Sequence, residues 1–575
     1  MKKRLSCLLL AIFLLSTVHL WWTSPRCTCQ VSSAPVEAKS GMVVSASGLA
    51  SKVGVDVLRN GGNAIDAAVA VGFALAVTYP QAGNLGGGGF MIARLADGKT
   101  FALDSRETAP HRAIRTMYLD TNGNVVQGLS LVGHLASGVP GTVDGLLTAL
   151  EKFGTKSRRE VLSPAIALAK NGFVVNEHLA TALRGSFEEI KKFPSTAKIF
   201  TKNGKPYEPG DTLVQTDLAR TLKRIAELGR KDFYEGETAK LIVEEMRRGH
   251  GLIDEEDLHS YHSVFRDPIR GTYRGYEIIS MPPPSAGGVA LVEMLNVLEA
   301  FSLAPSEAFS ARTIHLMVES MKRAFADRAE YVGDPDFVHV PVARLISKDY
   351  AELLRKSIAD SKATPSERIR AGGIYINEGR ETTHYSVVDR WGNAVSVTTT
   401  LNSLFGSKVV VDGAGFFLNN EMDDFSVKPG TPNQFGLTGG DANAIEPGKR
   451  MVSSMTPTII LKNSKPYMVV GSPGGPTIIT TVLEVIMNVI DFHMDIQEAV
   501  DAPRFHHQWL PDTIFYEHGA FTKQTVQQLK AMDYRLVERQ EHNTQGLVEA
   551  ILIDSKKNII YGASDKRGDG EAIGY

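Results

Sequence analysis

ETTHYSVVDR, residues 381–390, marks a change of texture in the chain. Before it, from roughly 145 to 380, polar amphipathic runs such as TDLARTLKRIAELG and ARTIHLMVESMKRAFADRAEYVG predict helices, interrupted by the proline-glycine break MPPPSAGG at Met281 to Gly288. From Thr382 onward, short β-branched runs alternate with Gly, Asn and Asp turns and predict strands. The two textures make an α/β (α+β) chain without an internal repeat.

The runs Thr383–Asp389 and Ala394–Thr400 read as a hairpin joined by Arg390-Trp391-Gly392-Asn393, where Gly and Asn suit left-handed backbone. Pairing 389 with 394 puts Thr383 opposite Thr400 and Thr382 opposite Leu401. The hydroxyls of Thr382 and Thr400 and the amide of Asn402 then gather at one end of the hairpin. A threonine-rich strand end that satisfies its own backbone is the plain alternative.

Outward from there, 575 residues with 43% hydrophobic and 22% charged content can bury a large core or form several domains. Lys plus Arg number 62 against 64 Asp plus Glu, so there is neither a basic footprint for nucleic acid nor an acidic tail. At the N-terminus, Lys2, Lys3 and Arg4 precede the apolar run Leu5 to Trp22, which has the order of an export signal. The same run reaches the lower limit of a membrane span. Ser32-Ser33-Ala34 fits a small-x-small cleavage site, although Pro35 follows it. Cleaved signal or retained anchor, residues 1–34 place the bulk of the chain outside the cytoplasm, periplasmic or secreted, with a membrane partner only if the segment is kept. Cys7, Cys27 and Cys29 all fall in or just after this segment, so from Gln30 onward there is no disulfide, thiolate metal site or cysteine nucleophile.

Between Ala46 and Ala76, Ala, Val and Gly recur at helical spacing around Asn60-Gly61-Gly62, which predicts a helix C-cap followed by a second, buried helix. Asp97-Gly98 predicts a hairpin, and Arg106 lies just past its second strand. Near the C-terminus, YMVVGSPGGPTIITTVLEVIMNVI predicts a strand ending at Gly471, a Ser472-Pro473-Gly474-Gly475 loop, and a helix opened by Pro476. Free N–H groups in such a loop can hold a negative oxygen; a tight strand-to-helix turn is the plain reading. NNEMDDF supplies Glu421, Asp423 and Asp424, able to grip an ammonium, and RMVSSM supplies Ser453 and Ser454, able with an arginine to grip a carboxylate. An acidic surface turn or a calcium loop is the competing reading of the first.

Three other patterns carry less. Gly86 to Gly89 matches neither phosphate-loop spacing and reads as close backbone packing. His506-His507 lacks partners at metal-ligand spacing and reads as structural. Ser195 to Lys198 matches SxxK, but no SDN or KTG follows.

Together these residues resemble the γ-glutamyltranspeptidase (glutathione hydrolase) family of N-terminal nucleophile hydrolases. GGNAIDAAVAVGFALAVTYPQAGNLGGGGFM, DSRETAP, ASGVPGTVDG, TTHYSVVD, LNNEMDDFS, GDANA, SSMTPTI, GSPGG, APRFHHQWLPD and YGASDKRGDGEAIGY carry the resemblance over nearly everything after the signal. It implies a four-layer αββα sandwich, made as a precursor that cuts itself between Glu381 and Thr382 into a large chain (35–381) and a small one (382–575). Thr382 is then the nucleophile, and its freed α-amine the base; the residues alone do not choose it over Thr383. A free α-amino group titrates near neutrality, which suits a general base. Thr400 would bond the Thr382 hydroxyl, and the N–H groups of Gly474 and Gly475 would form the oxyanion hole. Arg106 with Ser453 and Ser454 would bind the α-carboxylate of a γ-glutamyl group, and Asp424 with Glu421 and Asn402 its α-ammonium. Glutathione and related γ-glutamyl compounds are the implied substrates, with water, amino acids or peptides as acceptors and no metal or organic cofactor. The segment between Asp424 and Ser453 takes the place of the family's lid loop. Phe435 stands where many bacterial relatives carry a hydroxyl-bearing aromatic gate, and Glu421 where many carry Gln. A cephalosporin or glutaryl acylase on the same scaffold and a non-maturing binding shell are the rival expectations.

Overall fold

The β-branched alternation after residue 381 is realised as an antiparallel hairpin, β10 (Thr382–Val388) and β11 (Ala394–Thr400). The structure, a computed structural model, describes residues 34–369, 382–540 and 544–575. Glu381 and the export segment up to residue 33 therefore lie outside the described residues. The chain divides into two units, Met1–Ala34 and Pro35–Tyr575, and the second is described below.

The hairpin register differs by one residue from the expected one: Val388 faces Ala394, and Thr382 faces Thr400 directly. The reason is the turn. Asp389 N–H donates to Asn393 O at 3.1 Å, so Asn393 belongs to the ladder and the loop has three residues rather than four. Gly392, at φ 87°, supplies the left-handed residue that such a loop requires. The Asp389 carboxylate accepts from Trp391 N, Asn393 N and Ala64 N, which ties the turn to the start of the helix Ala64–Thr78.

The hairpin occupies the middle of a seven-stranded antiparallel sheet. Its order is β19 (Glu571–Gly574), β2 (Met42–Ser45), β10, β11, β3 (Gly88–Arg94), β4 (Thr100–Ser105) and β7 (Val264–Arg266). A second seven-stranded sheet runs β1 (Val36–Ala38), β18 (Ile559–Ser564), β17 (Glu549–Asp554), β13 (Lys465–Val470), β12 (Thr458–Lys462), β9 (Tyr276–Ser280) and β8 (Ile269–Tyr273). Two small sheets pair β5 (Phe173–Val174) with β6 (Thr212–Leu213), and β14 (Phe505–His506), β15 (Ile514–Tyr516) and β16 (Leu536–Glu538).

Strand alternation gives each large sheet two apolar faces. Val44, Phe90 and Ile92 of one sheet and Ile279, Ile459, Val469 and Ile551 of the other share a buried cluster, so the sheets pack face to face. On its outer face the Thr382 sheet packs Val43, Met91, Leu103, Tyr385 and Val397 against the helices Gly48–Arg59, Ala64–Thr78 and Thr142–Phe153. The opposing sheet packs Ile278, Ile460 and Met468 against the helices Gly287–Glu299, Ala311–Tyr331 and Thr477–Ile490. The result is the four-layer αββα sandwich that the resemblance implies.

Small side chains bring these layers close. The helix Ala64–Thr78 is buried along its whole length and starts on a capping box between Asn63 and Asp66. A Cβ on its Gly72 would lie 2.8 Å from the Tyr385 hydroxyl. The Gly86–Gly89 run likewise lets backbone meet backbone: a Cβ on Gly87 would come within 2.1 Å of Thr400 O, and one on Gly89 within 2.5 Å of Thr398 O.

The middle third is not wholly helical, because β7, β8 and β9 lie in it. Arg274 and Gly275, at φ 51° and 81°, form a two-residue turn of the mirror-image kind that hairpins favour. Ile278 and Ile279 then point to opposite faces of the sheet, one into each core.

Candidate active site

At its open end the central hairpin carries Thr382, whose Oγ1 lies 3.4 Å from Thr400 Oγ1. Asn402, in left-handed backbone at φ 74°, donates its N–H to Thr400 Oγ1 at 2.8 Å and its side-chain amide to Asn420 O at 3.0 Å. The strand alternation separates the two threonines that the sequence leaves equivalent. Thr382 lines a cavity; Thr383 does not, and its Oγ1 is buried without a hydrogen-bond partner among the described residues.

The same cavity is lined by Arg106, Asn402, Glu421, Asp424, Ser453, Ser454 and Gly475, residues drawn from widely separated parts of the sequence. Arg106 leaves the end of β4 and is held by its own N–H, which donates to Asp104 Oδ1 at 2.9 Å. Glu421 and Asp424 sit in a short 3₁₀ turn, Glu421–Asp424. Ser453 is set by the proline-rich segment that interrupts the helical sequence: its N–H donates to Pro284 O, its carbonyl accepts from Ala286 N–H, and Ser285 Oγ donates to Met455 O nearby. The break at Met281–Gly288 is thus a scaffold for the serine pair.

Gly475 follows β13 and precedes the helix Thr477–Ile490. Gly474 and Gly475 take φ 132° and 55°, backbone open to glycine, and no described residue accepts a hydrogen bond from either N–H. Ser472 Oγ, far from acting as a nucleophile, donates to Pro473 O at 2.7 Å and accepts from Leu547 N–H at 3.1 Å. The loop therefore offers two N–H groups at a helix start, facing the cavity through Gly475.

Charge in the cavity is concentrated on Arg106. Its Nη1 lies 2.6 Å from Glu421 Oε2, its Nη2 2.5 Å from Asp424 Oδ2, and Glu107 Oε2 is 3.5 Å away. Burial weakens the guanidinium's hold on its proton, yet Glu421, Glu107 and Asp424 together outweigh that and keep it above its ordinary value. Burial, partly opposed by Arg106, holds Glu421 well above the usual carboxylate range, raises Asp424, and pushes Glu107 up to about 8. The arginine expected at a carboxylate and the acids expected at an ammonium are thus one ion cluster.

Over this cluster lies the segment expected as a lid. Gln434 N–H donates to Asp423 Oδ2 at 3.1 Å, Ser403 Oγ to Gln434 Oε1 at 2.9 Å, and Asn433 Nδ2 to Asp424 Oδ1 at 3.2 Å. Asp423 also accepts from Ser130 Oγ at 2.7 Å, and burial pushes its carboxyl up to about 6. Phe435 is buried and lines the cavity, and a Cβ on Gly475 would lie 3.2 Å from its ring. Without a hydroxyl on its ring, Phe435 joins the lid through its backbone: its N–H donates to Asn433 Oδ1, and its carbonyl accepts from Gln508 Nε2.

Several neighbours have other roles. His384 bonds Thr398 Oγ1 and Ser386 Oγ, and burial keeps it neutral, down to about 3. Its ring fills the space above Gly471, where a Cβ would come within 2.4 Å, so it spaces the Thr382 strand from the glycine loop. His506 bonds Thr480 and Gln508, and His507 bonds Asp512 and Trp509 N–H, as structural side chains do. Ser195 donates to Val410 O, and Lys198 faces solvent near Asp217.

Sequence reasoning missed Arg328, Glu107 and the apolar wall of Leu437, Met455 and Ile478. Arg328 was hidden inside an amphipathic helix, where one more basic residue carries no signal. Glu107 adjoins Arg106 in DSRETAP, and its burial is the only feature that sets it apart.

Comparison with known proteins agrees with this geometry. A gamma-glutamyltranspeptidase family model matches residues 50–575. The chain is 50% identical over 543 residues to the glutathione hydrolase proenzyme of Escherichia coli (strain K12), covering 94% of this chain and 93% of that one. Among solved structures, a cephalosporin acylase from Bacillus halodurans matches with a TM-score of 0.85 at 28% identity, covering 96% of this chain and 99% of that one. A chain of Helicobacter pylori gamma-glutamyltranspeptidase matches with a TM-score of 0.57 at 47% identity, covering 60% of this chain and 97% of that one. An αββα sandwich with Thr382, the ion cluster and the glycine loop in one cavity, and a family match over nearly the whole length, lead to one conclusion: the chain belongs to the gamma-glutamyltranspeptidase family.

Proposed function

We propose that this protein is an exported γ-glutamyl hydrolase and transferase, made as a precursor that cuts itself between Glu381 and Thr382 and acts on glutathione and related γ-glutamyl compounds. The supporting observation is the meeting of Thr382, Thr400, Arg106, Asp424, the serine pair and Gly475 in a single cavity. In maturation, Thr382 Oγ1 attacks the Glu381 carbonyl carbon, the C–N bond breaks, and the resulting ester is opened by water. That releases the Glu381 carboxylate and the Thr382 α-amine as the new ends of chains 35–381 and 382–575.

In turnover, the α-amine of Thr382 takes the proton from its own hydroxyl, and the oxygen attacks the γ-carbonyl of the donor. The Gly474 and Gly475 N–H groups stabilise the oxyanion, and the donor's amine leaves with the proton held by the α-amine. Water or an amino acid or peptide amine then attacks the ester, giving glutamate or a new γ-glutamyl product. The α-carboxylate is held by Arg106 with Ser453 and Ser454, and the α-ammonium by Asp424 with Glu421 and Asn402. Export rests on Lys2–Arg4 and the apolar run after them.

The test is to purify wild type and Thr382→Ala and to assay glutamate release from glutathione. Wild type is expected as two chains with activity, and the variant as one uncut, inactive chain. A second reading, glutaryl or cephalosporin acylase activity, is favoured by the match to the Bacillus halodurans acylase. A glutaryl group offers no ammonium to Asp424 and Glu421, so preference for a γ-glutamyl over a glutaryl anilide decides between the two; the reverse preference selects the acylase.

A further inference from the structure

The turns at the end of the sandwich away from Thr382 carry a surplus of basic side chains. Trp391 tips the β10–β11 hairpin, the length of β10 or about 20 Å from Thr382. Beside it, one crevice is lined by Lys39 from the β1–β2 connection, Arg94 from the end of β3, Arg390, and Lys465 from the start of β13. Lys462 precedes Lys465 across the β12–β13 turn, and Lys556 and Lys557 lie on the β17–β18 turn that closes the crevice. Of these seven, among the described residues, only Lys557 reaches an acid, Asp554 at 3.7 Å. The acids on the turns are occupied by backbone: Asp389 accepts from Trp391, Asn393 and Ala64 N–H, Asp97 from Lys99 N–H, and Asp554 from Lys556 and Lys557 N–H. Trp391 is 49% exposed, with the Arg390 guanidinium 4.6 Å from its ring centroid. The floor under these cations is apolar, made by Val388, Pro466, Ile553, Ile559 and Ile560.

Lysines at strand ends are ordinary guards against edge-to-edge pairing, but a guard gains nothing from a half-exposed indole at its centre. On a chain whose formal net charge is −2, this end is also a local reversal of sign. Cations around an indole, over an apolar floor, match a surface that offers phosphates above hydrocarbon: Lys and Arg are drawn to anionic headgroups, and Trp settles at headgroup level. A soluble polyanion would meet the cations and leave the indole and the floor in water. We propose that this end of the protein docks on the surface of an anionic phospholipid bilayer, with Trp391 in the headgroup layer and Lys39, Arg390 and Lys465 against the phosphates. The Thr382 cavity, at the other end of the same hairpin, is then held away from the membrane. The docking does not depend on which acyl group Thr382 transfers.

The experiment sediments the protein, as purified from its host, with vesicles of phosphatidylcholine alone and of phosphatidylcholine with an equal part of phosphatidylglycerol. Wild type is expected to bind the anionic vesicles more tightly than the neutral ones, and its tryptophan emission to shift to the blue as it does. Each basic residue near such a surface contributes roughly five-fold in partition, so the triple variant Lys39→Gln, Arg390→Gln, Lys465→Gln is expected to lose about 100-fold on anionic vesicles. Trp391→Ser is expected to lose about 10-fold and the blue shift with it. The control triple Lys170→Gln, Lys223→Gln, Lys240→Gln removes as much charge from exposed helix faces and is expected to bind like wild type. Equal binding of wild type to both kinds of vesicle, or an equal loss in the control triple, overturns the proposal. So does retention on heparin that the crevice triple loses while wild type ignores vesicles, which marks a soluble polyanion as the partner. Should a crevice variant fail to fold, wild type decides alone. Binding to anionic vesicles that falls 10-fold or more between about 0.05 and 0.5 M salt, with the blue shift falling in parallel, supports the docking; binding without salt dependence or without the shift overturns it.

Discussion

Arg106 Nη2 lies 2.5 Å from Asp424 Oδ2, so the cation and the anion expected to hold opposite ends of one substrate hold each other. With Glu421 at 2.6 Å on the other nitrogen, Arg106 is the keystone of a buried cluster. Removing one member of such a cluster leaves the rest uncompensated, which typically costs about 3–5 kcal/mol. Arg106→Gln is therefore expected to lower the unfolding free energy by that order as well as activity, measured by chemical denaturation of the mature protein. A variant that loses activity at full stability would show that Arg106 serves the substrate alone.

Thr400→Val keeps the shape of the hairpin end but removes the hydroxyl 3.4 Å from Thr382 Oγ1 and the acceptor of the Asn402 N–H. Maturation is expected to slow by about 10-fold or more, and kcat to fall with little change in KM, as follows when a bond to the attacking group is lost. A time course of precursor on denaturing gels, with steady-state kinetics of the cut product, measures both.

Glu107 gives a pH signature. Burial raises its carboxyl from 4.5 to about 8, so the folded protein holds this proton more tightly than the unfolded chain between those values. Stability from this group is present at low pH and is lost as pH rises toward 8. Relative to wild type, Glu107→Gln is expected to be of similar stability near pH 5 and more stable by about 3–5 kcal/mol near pH 9. Denaturation curves at the two pH values provide the comparison.

Gly474→Ala forces a side chain onto backbone at φ 132° and places its Cβ 2.4 Å from Thr477 Oγ1. The loop must shift, and its N–H groups with it. Since loss of one oxyanion donor costs about 100- to 1,000-fold in kcat, a fall of that order with KM nearly unchanged is expected from steady-state kinetics. A normal kcat would remove this loop from the chemistry.

How much of this was legible beforehand depended on distance along the chain. The two close-packed helices were readable because Asn60-Gly61-Gly62 is a local stop signal and the Ala/Val/Gly spacing is local too. The hairpin was readable, but its register was not, since Asn393 joins the ladder through one backbone bond that composition does not encode. β8 and β9 were lost in a helical background although Arg274-Gly275 was a local turn signal. The site residues came from matching motifs rather than from physics: nothing in DSRETAP or RMVSSM says that they will meet. What no motif carried was electrical. That Arg106 is saturated by acids and Arg328 is not depends on four side chains converging in three dimensions.

In the proposed maturation, the bond before Thr382 is the one cut and Thr382 performs the cut. N-terminal sequencing of the small chain from purified wild type, run beside Thr382→Ala, tests it most directly. The expected result is a small chain beginning TTHYSVVDR in wild type and a single uncut chain in the variant. A small chain beginning at any other residue, or a Thr382→Ala protein that still separates into two chains, would contradict it.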